Sequence, residues 1–340
     1  MKLSTKIILG AITIFFIGIF AWVAFSPKED ISERIYRTLK EQENQADMAF
    51  KQVSFEEVVA GIKYWQLIAE TAMVNKSTQL STLKISKGNF YQNGKPVLSF
   101  NSPIALWDMK KKEIFLDQPL GYDVSLKDKI EGLLAQQKAG AASIFNLPKL
   151  YAKNPGYWFQ AKNLSWKLAT QQLICSGNII LNKGEITGRA DRLTSDVGLQ
   201  NIILDGRPVL TIEPTNSSPI TLEAVSFQVI SPKDEIIASG APEIRWEEAN
   251  ILAGKMKYLQ AENILELSDR VKVNYMDIEA WGDSAQYFTE EQTIILSGKA
   301  RATQGENTLA GKKVRLSLKD KKISVIGQGK VVITDEDLAK

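Results

Sequence analysis

Over much of its length the chain alternates apolar and polar residues, breaks the alternation at a glycine, and resumes. The stretch ILSGKARATQGENTLAGKKVRLSLKDKKISVIGQGKV, Ile295 to Val331, does this at Gly298 and again at Gly327. Aligning such breaks exposes a period. Segments starting at Ala161, Ala190, Ala224, Ala253, Gly282 and Gly311 lie 29, 34, 29, 29 and 29 residues apart, the longer step holding the turn-rich EPTNSSP. Apolar residues stand three and often five places into each segment, as in Leu164/Trp166 and Met256/Tyr258. They return in pairs at places twelve and fourteen: Leu173/Cys175, Ile202/Leu204, Ile236/Ala238, Leu265/Leu267, Ile294/Leu296 and Ile323/Val325. Place sixteen holds Gly177, Gly206, Gly240, Asp269, Gly298 and Gly327. A looser copy runs through SPIALWDMKKKEIFLDQPLGY.

Period-two alternation on both sides of a polar turn predicts antiparallel strands with one buried face. A glycine inside such a strand marks a bulge or tight bend. The expected fold is all-β: an elongated two-sheet β-jellyroll of ~29-residue repeats. Each repeat crosses between the sheets, and the glycine lets the strand fold over without a Cβ in the corner. An ordinary sandwich with scattered turn glycines competes, but it leaves the fixed offsets unexplained.

Before the repeats come other elements. Ile7 to Phe25 is 19 residues without a charge, about 28 Å as a helix and close to a bilayer core. A cleavable signal would have a shorter apolar run and a small-residue cleavage site, whereas Pro27 follows here. An amino-terminal transmembrane helix over residues 1–27 is therefore expected, with its orientation undecided by flanking charges. Residues 28–53 read as a charged helical stalk, solvated because its apolar stripe is narrow. A first jellyroll is expected over 54–222, with Asn93-Gly94 as a hairpin turn. Inside it a helix and loop interrupt near 123–156, where Ile130, Leu133 and Leu134 stand at helical spacing. Repeats fill 223–334, and 335–340 is a tail.

Composition narrows the chemistry. The 340 residues carry a net charge of +3, with no basic block that would suit nucleic acid. There is no histidine and a single cysteine, Cys175, in the apolar run LICSGNIIL. This removes the commonest general base, the usual metal ligand, any internal disulfide and any paired-cysteine metal or redox site. No cofactor and no catalytic residue are expected; carboxylates such as Asp283, Glu290 and Glu291 fall in solvated turns.

The inward track is the candidate functional feature. Its residues are Trp107, Trp166, Ile179, Phe227, Ile244, Tyr258, Val273, Ile294, Leu296, Ala300 and Ala302. If the two sheets close, these form a plain core. If the sheets splay, they line a groove for acyl chains, where each buried methylene stabilises by about 0.8 kcal/mol.

The run GDSAQYFTEEQTIILSGKARATQGENTLAGKKVRLSLKDKKISVIGQGKV resembles the OstA-like periplasmic domain of lipopolysaccharide-transport proteins. The anchor, GIKYWQLIAETA and the GNFYQNGKP hairpin are similar to LptC-type proteins of the same machinery. Greater length than an LptC-type protein suggests an LptA/OstA-like extension behind it. The resemblance implies a β-jellyroll (β-taco) held in the periplasm by an inner-membrane span. It implies that lipopolysaccharide arrives, by its lipid A acyl chains, from inner-membrane ABC transporter subunits and passes to a periplasmic jellyroll protein at the carboxyl-terminal edge. A membrane-anchored assembly protein that pairs strand edges without carrying lipid is the competing expectation.

Overall fold

The computed structural model describes residues 31–136, 156–214 and 218–332. Helix α1 (Ile31–Gln45) is followed by β1 (Met48–Val59), β2 (Ile62–Asn75), β3 (Leu80–Gln92), β4 (Lys95–Asp108), β5 (Glu113–Asp117) and β6 (Leu120–Asp123). Helix α2 (Lys127–Gln136) precedes β7 (Trp158–Gln160), β8 (Asn163–Lys167), β9 (Gln172–Lys183), β10 (Ile186–Asp196), β11 (Asn201–Asp205) and β12 (Val209–Ile212). Then come β13 (Ile220–Glu223), β14 (Ser226–Ile230), β15 (Glu235–Ser239), β16 (Glu243–Trp246), β17 (Ala249–Leu252) and β18 (Lys255–Leu259). The last five strands are β19 (Ile264–Tyr275), β20 (Ile278–Phe288), β21 (Thr293–Gln304), β22 (Asn307–Ser317) and β23 (Lys322–Val332).

These strands make one antiparallel ladder folded lengthwise into two facing sheets. The register shows the fold line. β9 pairs with β8 over Gln172–Ser176 and with β7 over Ile180–Asn182. β19 pairs with β18 over Ile264–Ser268 and with β17 over Lys272–Tyr275. One half of each long strand therefore lies in sheet A and the other in sheet B. Elsewhere the crossing strand is split, as in β5/β6 and β15/β16. Successive rungs stack at the usual interstrand spacing of about 4.8 Å, so the molecule lengthens across its strands.

At the corner two adjacent residues adopt left-handed backbone. Gly177-Asn178, Gly240-Ala241, Asp269-Arg270 and Gly298-Lys299 all have positive φ, and the register slips beside them, between Ser268/Val271 and Ser297/Ala300. A left-handed residue costs an ordinary side chain about 1–2 kcal/mol, so glycine recurs there. The sequence period is the spacing of corners. At the other margin, which we call the seam, the hairpin turns of the two sheets face each other. On the sheet B side Asn93-Gly94, with φ of 52° and 74°, makes the expected primed turn.

Inward residues from Trp65 to Leu318 form one apolar cluster. The ladder is unbroken at residue 222, which lies within β13, and β12–β13 and β13–β16 pair on either side. The division expected at 222/223 thus separates two stretches of one ladder.

One expectation is corrected. Of the expected stalk 28–53, the described part from Ile31 is not free: β1 begins at Met48, and α1 packs on the outside of sheet A. Ile35 is fully buried there against Leu106 and Phe115. The Ser32 hydroxyl donates to Asp117 Oδ1 at 2.8 Å and lies 2.7 Å from the Asn163 side-chain amide, while Tyr36 donates to Asp117 Oδ2 at 3.2 Å. Arg34 reaches Asp108 and stands over the Phe115 ring. The narrow apolar stripe suffices because polar groups on the same face find buried partners. Helix α2 and the turn before it cover the outside of sheet B, with Leu126 of the turn and Ile130 of the helix against Leu120, Tyr122 and Trp158. The rest of the interruption near 123–156, the span at Ile7–Phe25 and the tail lie outside the described residues. Among the described residues no helix is long and apolar enough to cross a membrane.

Candidate functional site

The ladder brings all eleven inward candidates into one track. Trp107, Trp166, Phe227, Tyr258, Ile294 and Leu296 project from sheet A; Ile179, Ile244, Val273, Ala300 and Ala302 project from sheet B. Trp107 is partly buried and packs against the cluster to which the other ten belong. Cross-strand pairs make the track continuous: Val273 sits between Ile251 and Ala280, and Ala302 between Ala280 and Leu309. Ile294 sits between Tyr287 and Leu316.

The sheets are closed on each other here. The hollow bounded by Tyr157, Leu181, Ile186, Gly188, Leu210, Val229 and Ile236 amounts to about 10 Å³, room for one water at most. The unsealed trough considered from the sequence is a packed interior in this state: ten of the eleven track residues are no more than 3% exposed, and a larger hollow, about 580 Å³, opens at the corner beside Ile179, Ala190 and Arg207.

Filling differs along the track. Towards the amino end it is aromatic: Trp65 meets Trp107 edge-on at 5.0 Å between ring centres, and Phe90 packs on Phe100 at 4.9 Å and Trp166 at 5.5 Å. Towards the carboxyl end sheet B offers small residues, Ala280, Ala300 and Ala302, to the larger Ile294 and Leu296 of sheet A.

A second feature was not singled out from the sequence. Polar-tipped aromatics stand one residue from the strand ends along the seam of sheet A: Trp107, Trp166, Tyr258 and Tyr287. Trp246 and Tyr275 close strands on the sheet B side. Several of their polar atoms have no hydrogen-bond partner among the described residues, namely the indole N–H of Trp107, Trp166 and Trp246 and the hydroxyl of Tyr287. Such buried groups each cost about 1–3 kcal/mol. Tyr258 donates to Asn263 Oδ1 at 3.1 Å, and Tyr275 bridges the seam to the Leu318 carbonyl at 2.9 Å. All three phenols stay protonated. Burial, then Glu185 and Glu290, pushes Tyr258 up to about 12; burial, then Glu247, raises Tyr287; burial, then Glu248 and Glu247, raises Tyr275. The shared place of Trp166, Tyr258 and Tyr287, five residues into their repeats, was the available signal. Trp246 and Tyr275 carried none.

Ion pairs also join the lips of the seam: Lys112 with Glu57 at 2.8 Å and Lys183 with Asp234 at 2.7 Å. Among the described residues no group of histidine, cysteine or carboxylate side chains could hold a metal.

The folded ladder sets the context for comparison with known proteins. Residues 159–322 match the family described as LptA/(LptD N-terminal domain) LPS transport protein. That family is described as one of lipopolysaccharide transport proteins. No curated protein matches the chain. Among solved structures, it is similar to LptH of Pseudomonas aeruginosa, the LptA-homologous periplasmic component of the lipopolysaccharide transport device. The likeness is 16% in identity, covers 36% of this chain and 100% of that one, and has a TM-score of 0.32.

Proposed function

We propose that the chain is a periplasmic conduit for lipopolysaccharide, anchored in the inner membrane by Ile7–Phe25. In this reading it takes lipid from inner-membrane ABC transporter subunits in the manner of an LptC-type protein. The observation that carries it is the pairing of an unbroken apolar interior with polar-tipped aromatics at its seam. Such residues suit a boundary between hydrocarbon and water. Their unpartnered donors match the ester and amide carbonyls at the head of an acyl chain. The residues that would touch acyl chains are the eleven of the track.

Since the interior is filled, cargo must enter by parting the lips. The ion pairs there each keep one exposed partner and cost on the order of 1 kcal/mol each to break, and about ten methylenes transferred from water return roughly 8 kcal/mol. Hydrocarbon can therefore replace side-chain packing that opening disrupts. Small residues in sheet B near the carboxyl end make that end the easier to fill.

Among the described residues the ladder also ends in two unpaired edges. β1 and β23 each pair on one side only, and Val331 and Val332 of β23 are exposed. A jellyroll partner adding its strand to β23 would cover them and continue the track. The test is a photo-crosslinking residue at Ile294 or Val273 in cells, with the exposed Lys299 as control. Lipopolysaccharide adducts at the inward sites alone are expected. Equal labelling at Lys299, or none at the inward sites, would favour the assembly protein, whose closed interior would then be its working state.

A further inference from the structure

Midway along the seam lies a polar cluster at the margin of the core. Lys183, the last residue of β9 in sheet B, donates to Asp234 Oδ1 in a sheet A turn at 2.7 Å. Its ammonium also stands 5.1 Å from the centre of the Tyr157 ring. The Ser231 hydroxyl donates to the Leu199 carbonyl, and its oxygen lies 3.1 Å from the Tyr157 hydroxyl, which donates to it. Directly beneath is the small apolar hollow between Leu181, Gly188, Leu210 and Ile236, with Lys183 and Tyr157 in its wall.

The two partners of the ion pair are unequally placed. The Lys183 side chain is 16% exposed, with an aromatic ring beside it, whereas Asp234 is 51% exposed on a turn. Burial works against the charge of Lys183, but the bond to Asp234 and the Tyr157 phenol outweigh it and raise its pKa. The cation is thus the fixed partner and the carboxylate the replaceable one. A fixed cation at the mouth of an apolar hollow is complementary to one class of molecule, an amphiphile with an anionic head.

We propose that Lys183 is a head-group site. When the lips part at this level, Lys183 exchanges Asp234 for the phosphate of an acyl or alkyl amphiphile whose chain enters between Leu181, Leu210 and Ile236. Tyr157 holds the ammonium in place during the exchange. The site deepens the transport reading and rests on it, because it needs an interior that admits hydrocarbon.

The test uses the full chain and two probes, dodecyl phosphate and the uncharged-head dodecyl maltoside, each below its micellar concentration, titrated calorimetrically. Inorganic phosphate alone is the third arm. Lys183→Met keeps the stem and removes the charge. It should weaken dodecyl phosphate about tenfold relative to the maltoside. Asp234→Asn removes the competing carboxylate and should strengthen dodecyl phosphate severalfold, the maltoside again unmoved. Inorganic phosphate should bind far more weakly than dodecyl phosphate. An unchanged phosphate-to-maltoside ratio in both variants overturns the site while leaving the conduit intact. Inorganic phosphate binding as tightly as dodecyl phosphate overturns it too. If neither amphiphile binds the wild-type chain, the site and the conduit fall together. Should Lys183→Met fail to fold by circular dichroism, the Asp234→Asn ratio decides.

Discussion

A Cβ placed on Gly254 would lie 2.6 Å from the Cβ of Asp269, and at this corner glycine has changed sides. At neighbouring levels the glycine is the corner residue and an ordinary residue faces it. Gly206 faces Asp191, whose Cβ would be 2.7 Å from an added one; Gly298 faces Asp283, at 2.8 Å. Where the chain writes Asp269 at the corner, with φ of 65°, it writes Gly254 opposite. Space for one Cβ per level is thus the constraint, separate from the left-handed backbone.

Gly254→Ala should therefore destabilise by about 2 kcal/mol through overlap alone, since Gly254 itself has no left-handed φ. Adding Asp269→Gly should recover most of the loss, because it removes the clashing Cβ and relaxes the corner. A double-mutant cycle in urea unfolding should show coupling of at least about 1 kcal/mol. Additive costs would mean the two residues do not share the corner.

Gly298→Ala combines overlap with Asp283 and backbone strain at φ of 72°, and should cost about 2 kcal/mol or more. Gly327 has φ of 88° on edge strand β23 and nothing within 4 Å of an added Cβ. Gly327→Ala should cost only the strain, about 1 kcal/mol. Equal midpoint shifts in urea for the two variants would contradict this division.

The repeat was legible because its signals are local: alternation within a strand, and a glycine at each bend. Every inward residue named from the sequence does point inward, since strand parity alone decides that. What escaped depends on partners far along the chain. Ser32 finds Asp117 85 residues away, so the segment around it read as a solvated stalk. The Met48–Val59 strand carries little alternating apolarity and is identified by pairing with β2. Lys183 meets Asp234 only because the folded ladder brings opposite turns together. Closure of the interior was not legible either, because it depends on how side chains from two sheets interlock.

Asp117 is the pin of α1. Asp117→Ala removes the charged acceptor of both Ser32 and Tyr36 and leaves Asn163 Oδ1 to take the Ser32 hydroxyl, costing about 1–3 kcal/mol for the charge-assisted bonds lost. The loss should be local. Hydrogen exchange over Ile31–Gln45 should quicken while strands β19–β22 keep their protection. Uniform quickening across the ladder would show that α1 is integral to the whole fold.

Cys175 is fully buried, and burial pushes its thiol well above the ordinary range. The folded chain holds this proton more tightly than the unfolded one. Its contribution to stability is complete below the unfolded thiol's pKa of about 8.5 and shrinks as pH rises beyond it. Iodoacetamide should leave the native protein unlabelled at neutral pH and modify it at the rate of unfolding. Fast labelling under native conditions would mean that β9 opens locally.

Tyr287 separates stability from cargo binding. Its ring is fully buried between Ile264–Tyr275 and Thr293–Gln304, yet its hydroxyl finds no partner among the described residues. Tyr287→Phe deletes only that hydroxyl, so the variant should be equal to wild type or more stable, by up to about 1 kcal/mol. If acyl carbonyls supply the missing acceptor, the same variant should bind dodecyl maltoside unchanged but bind an ester-containing amphiphile such as lysophosphatidylcholine several-fold more weakly. A Phe variant that loses stability would reveal a partner for the hydroxyl within the fold. One that binds both amphiphiles like wild type would remove Tyr287 from the contact surface.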